Sequence, residues 1–146
     1  MLLHTAGLLH EIGRFVSDLS LHKHSMYLIQ QSELFGLTRN DMLLVALVAR
    51  YHRPASPKPS HLGYANLDRD HRIAVTKLSA LLRVAIALDS SRSGRVSEFE
   101  CNNSNGRLVI AVPGVKDLSI EQLTLNQNGM LFEQIFGRSV LLRGAS

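Results

Sequence analysis

Residues 8–14 read Leu8-Leu9-His10-Glu11-Ile12-Gly13-Arg14. An imidazole and a carboxylate stand side by side in an apolar run. Burying such groups without partners costs several kcal/mol. The pair therefore either carries chemistry or is tied to the backbone and a neighbouring cation. Around it, Leu2, Leu3, Ala6, Leu9, Ile12, Phe15 and Val16 recur at three- and four-residue spacing, which predicts a helix over residues 2–17.

Working outward, Ser17 to Ser20 break the pattern. Ser20 or His22 is placed to cap a second helix over about 24–35, with Gly36 as its stop. Thr38 and Asp41 resemble a capping box and open a strongly apolar helix over about 39–52. Pro54, Pro57, Pro59 and Gly63 mark residues 53–67 as an extended loop. Asp68 or Asp70 starts the next helix, over about 69–89. The pattern then changes. Residues 95–100 alternate, Asn105-Gly106 signals a hairpin, and Leu108 to Val112 read as its return strand. Residues 120–125 read as a third strand, 127–136 as a short helix and 140–142 as a last strand. The expected fold is mainly α with a small α/β C-terminal unit, as a helical domain over 1–93 and a β-rich α+β unit over 94–146.

Composition narrows the function. The chain has 146 residues, of which 45% are hydrophobic and 19% charged, enough apolar material for a core. A net charge of +4 favours polyanionic partners. Cys101 stands alone, so no intramolecular disulfide forms. No apolar run approaches the roughly 18 residues of a membrane helix. There is no basic leader, and His10-Glu11 interrupts the apolar start, unlike a secretory signal. These features describe a cytoplasmic protein that does not enter the membrane. The chain has no Gly-rich phosphate loop, nucleophile elbow or CxxC. No DNA-reading motif is present, so no specific nucleic acid partner is expected.

Four places combine ionisable groups with apolar helices: His10-Glu11, His22-Lys23-His24, Arg50-Tyr51-His52-Arg53 and Asp89. Imidazoles with carboxylates suit a divalent metal such as Mg, Mn or Zn, with His10, Glu11 and Asp89 as ligands. In the structural alternative, His10 donates to a backbone carbonyl, Glu11 meets an arginine and Asp89 bonds the following turn. His22, Lys23, His24, Arg50, His52 and Arg53 make a surface for a phosphate chain, because Arg binds phosphate oxygens bidentately and Lys adds a point charge. Lys58, Arg69, Arg72, Lys77 and Arg83 are candidates to extend it. His4, His61 and His71 read as ordinary surface or packing residues.

An adjacent His-acid pair followed by Ile-Gly resembles the metal-dependent phosphohydrolases of the HD superfamily, with Glu11 standing where they carry Asp. The ordered set LLHEIGRFVS at 8–17, HKHSMYLIQQSELFGLT at 22–38, LVARYHR at 47–53, LSALLRVAIALDSSR at 78–92 and LFEQIFG at 131–137 covers nearly the whole chain. It resembles the C-terminal region of the exopolyphosphatase/guanosine pentaphosphate phosphatase (Ppx/GppA) family. The resemblance implies an HD-like helical bundle followed by a short β-sheet with one helix. It also implies an upstream actin-like phosphatase domain that carries catalysis. The region itself would then be an accessory domain that holds polyphosphate or guanosine pentaphosphate and forms a homodimer. The alternative is a stand-alone HD-type phosphohydrolase, with a divalent ion on His10, Glu11 and Asp89, acting on phosphomonoesters or nucleotides.

Overall fold

Helix α1 spans Leu2–Leu9, and the chain then tightens into a 3-10 turn at Ile12–Phe15 instead of continuing to residue 17. The cause lies in α2. Ser25 is fully buried; its hydroxyl donates to His10 O at 2.7 Å and accepts the Gly13 N–H at 2.9 Å. One side chain thus satisfies two backbone groups that a continuous helix would have paired internally. Gly13 permits the approach, since a β-carbon there would sit 2.6 Å from Leu21 O. The computed structural model describes residues 1–145.

Helix α2 covers Leu21–Gln30. It starts earlier than the apolar spacing indicates, after Ser20 turns the chain at φ 57, and Ser20 supplies no side-chain cap. It also ends earlier. Gly36, at φ 83, turns the connecting loop and does not terminate the helix. Helix α3, Arg39–Arg50, starts as the sequence indicates. Thr38 Oγ1 accepts the Asp41 N–H at 3.1 Å, and Asp41 accepts the Thr38 N–H at 2.9 Å. Met42 and Leu44 to Ala49 are buried, so α3 forms the centre of the first unit. Helix α4, Arg69–Leu88, is capped by Asp68, whose carboxylate accepts the His71 N–H at 2.8 Å.

The chain forms two compact units, Met1–Leu82 and the residues from Arg83 onward. The division lies inside α4, ahead of the compositional change at residue 93. In the second unit, β1 (Glu100–Ser104) and β2 (Arg107–Pro113) form the expected antiparallel hairpin. Asn105 at φ 49 and Gly106 at φ 74 give the two left-handed residues that a tight hairpin turn favours. β3 (Ser139–Ala145) pairs parallel to β2, with Arg107 opposite Ser139 and Ala111 opposite Arg143, in the order β1-β2-β3.

Two strand expectations change. Residues 120–125 lie in helix α5, Ser119–Asn128. A parallel β2-to-β3 connection needs a crossover, and α5 with α6 (Met130–Phe136) supplies it. Glu121 and Leu125, one helical turn apart, are both buried, and the Asp117 carboxylate accepts the Ser119 N–H at the helix start. The strand expected over 95–100 begins only at Glu100, because Arg95 turns to pair with Glu121. The C-terminal unit is therefore α/β with two helices. Among the described residues, no helix is long and apolar enough to cross a membrane.

Candidate functional site

Helix α2 packs against α3, and Arg50 at the end of α3, with Arg53 just beyond it, acts on His22 at the start of α2. His22, Lys23 and His24 occupy the first turn of α2, where no acidic residue stands. A helix N-terminus carries partial positive charge, so cations there are unfavourable by a few tenths of a kcal/mol each in the absence of an anion. From the other side come Arg50, which closes α3, and Arg53, which is exposed.

His22 is the focus of this cluster. Its Nδ1 is buried and has no hydrogen-bond partner among the described residues. Burial lowers its pKa, and Arg53, Arg50, Lys23 and His24 lower it further in that order. The Arg50 guanidinium makes only weak contacts here: Nη1 lies 3.5 Å from Met26 Sδ, and the group sits over the Tyr51 ring at 5.9 Å.

His52 and His10 lie behind this surface, with ring centroids 5.1 Å apart. His52 is buried, and its Nδ1 donates to Ala49 O. Burial, opposed by that bond and reinforced by His10, Arg53 and His22, brings its pKa down to about 4. At neutral pH it is therefore an Nδ1–H imidazole whose Nε2 carries a lone pair and has no proton for a phosphate oxygen. His10 is held in the same way, with Nδ1 donating to Gly7 O at 2.6 Å. Glu11 pairs with Arg14 at 3.0 Å, and Arg14 also meets Asp18. Asp89 belongs to the second unit. Two imidazoles in this tautomer are half of a metal-ligand set. Among the described residues, no group of three or more His, Cys, Asp or Glu side chains is placed to hold a metal.

The loop after α3 brings in His61, which the sequence reads as an ordinary surface or packing residue. His61 Nδ1 lies 2.7 Å from the Tyr51 hydroxyl, and its ring stacks on Tyr51 at 5.6 Å. Arg50, Lys58 and Lys23 all act on this imidazole. No periodicity signals this role, because His61 sits in an irregular loop. The other cations are placed differently. Arg72 donates to Ala65 O at 2.6 Å and lies over the Tyr64 ring, while Arg83 belongs to the second unit. His71 is engaged by Asp68 at 2.7 Å, and His4 is exposed at the chain start.

The family model for the Ppx/GppA phosphatase, domain III, matches residues 1–134. The chain belongs to that family. As a Ppx/GppA domain III it is 30% identical, over 116 residues and 77% of its length, to the guanosine-5'-triphosphate,3'-diphosphate pyrophosphatase of Vibrio vulnificus (strain YJ016). It covers 22% of that protein. It is also 30% identical over 95 residues, 65% of the chain, to the enzyme of the same name from Pseudoalteromonas translucida (strain TAC 125), of which it covers 18%. The domain III chain thus spans about a fifth of the length of these curated relatives.

Proposed function

We propose that this chain holds the phosphate chain of a Ppx/GppA-type substrate, polyphosphate or guanosine pentaphosphate, while an upstream actin-like phosphatase domain carries out hydrolysis. One observation carries the reading: Lys23 at the start of α2 and Arg50 and Arg53 at the end of α3 converge on His22, whose buried Nδ1 has no hydrogen-bond partner among the described residues. A cluster of like charges is destabilising by itself and favourable once a polyanion enters it. Lys23, Arg50 and Arg53 provide the fixed charge. His22 provides that buried ring nitrogen. His24 extends the surface along α2, and His52 supports it from behind as a neutral, buried ring.

Each charge-assisted hydrogen bond contributes roughly 1.5–3 kcal/mol. Replacing Arg50 and Arg53 together with Gln should therefore weaken binding of linear polyphosphate at least about tenfold. Fewer released counterions should also flatten its salt dependence. Isothermal titration at several salt concentrations reads both effects, and unchanged affinity and slope would overturn the proposal.

A further inference from the structure

We propose that His61, on the loop between α3 and α4, is a further contact of the phosphate-chain site, presented as an Nε2–H donor by Tyr51 and the turn that carries it. This rests on the reading of the α2–α3 surface as that site.

The argument begins with the turn. Lys58-Pro59-Ser60-His61 closes with the His61 N–H donating to Lys58 O at 2.9 Å. Pro59 holds the second position, where its fixed φ is pre-set for a turn. The Lys58 N–H in turn points at His61 Nδ1, at 3.3 Å. A backbone N–H can only donate, so Nδ1 is the acceptor. The Tyr51 hydroxyl, 2.7 Å from the same nitrogen, must then donate as well. Burial pushes the Tyr51 phenol up to about 12, so that proton stays on oxygen. With two donors on Nδ1, the neutral ring carries its own proton on Nε2.

His61 and His52 thus adopt opposite tautomers. His52 gives its Nδ1 proton to Ala49 O and shows a lone pair, whereas His61 keeps a proton on Nε2 that has no acceptor among the described residues. Burial, then Arg50, Lys58 and Lys23, disfavour a second proton on His61. Those three cations are also the charges a phosphate chain would meet there. His61 and Lys58 therefore extend the cationic surface of α2 and α3 onto the loop. A neutral donor there binds a phosphate oxygen without adding to the mutual repulsion of the cluster.

The test is imidazole 15N NMR of the chain with a short linear polyphosphate of defined length, the His61 signals being assigned by their loss in His61→Ala. The Nε2–H tautomer is expected in the free protein at neutral pH, and its Nε2 resonance should move on saturation. His61→Ala should weaken binding at least about tenfold, the value of one hydrogen bond to a charged acceptor. His61→Gln, which retains an N–H near the Nε2 position, should recover most of that loss. Tyr51→Phe should mix the two tautomers, an effect that simple loss of packing would not produce. A wild-type Nε2 resonance unmoved at saturation, or equal affinity for wild type and His61→Ala, would overturn the inference while leaving the α2–α3 site intact. Failure of the wild type to bind polyphosphate at all would remove both.

Discussion

Arg95 and Arg50 show two opposite treatments of positive charge. In the second unit, Arg95 grips the fully buried Glu121 through two bonds, at 3.0 and 2.6 Å. That grip holds the Glu121 carboxyl below its usual range against the opposing effect of burial, with Ser91 assisting. Charge there is closed on itself and serves architecture: it turns residues 95–99 away from the sheet and anchors α5. In the first unit, Arg53, Arg50 and Lys23 converge on His22, and none of the three has an ion pair among the described residues. An ion pair that is satisfied has no capacity left for a ligand. A cluster left open keeps its potential for one.

The largest expected effect breaks the closed side of this comparison. Arg95→Ala leaves Glu121 buried and uncompensated, at a cost of about 3 kcal/mol. Thermal unfolding should show a clear drop. Replacing both partners with Met should restore much of the loss, since the penalty arises from the orphaned charge.

Close in size is the pH response of the open side. Folding depresses the His52 pKa to about 4 from 6.5, so the unfolded chain takes up a proton first as pH falls. The stability contribution is complete above pH 6.5 and is lost progressively down to pH 4. The span corresponds to about 3 kcal/mol. Denaturant unfolding across that window should show the decline, and His52→Gln should flatten it.

The smallest effect has the opposite sign. Lys23→Gln removes a cation from the first turn of α2 and should stabilise the ligand-free protein by about 0.5 kcal/mol. Saturating polyphosphate should reverse the order of the two melting temperatures. A cation that stabilised the free fold would show that the cluster is already compensated.

The parts of the fold that were legible in sequence are those fixed by near neighbours. Thr38 and Asp41 announce α3 by their spacing, and Asn105-Gly106 announces the hairpin. The break after α1 is not legible, because it depends on the Ser25 hydroxyl reaching back to His10 and Gly13 from another helix. Residues 120–125 misled because Ile-Glu-Gln-Leu-Thr-Leu fits an alternating pattern, and only the burial of Glu121 and Leu125 on one face reveals a helix. The candidate site divides in the same way. The cations of α2 and α3 stand out in the sequence. The tautomers of His52 and His61, which decide whether each offers a proton, depend on Ala49 and on Tyr51 and become visible only in three dimensions.

The most direct test of the open cluster is the affinity of the chain for linear polyphosphate as a function of salt, measured for wild type and for the Arg50→Gln, Arg53→Gln variant. The account predicts tight binding at low salt that weakens steeply as salt rises, with both affinity and slope reduced in the variant. Two superimposable salt curves would contradict it.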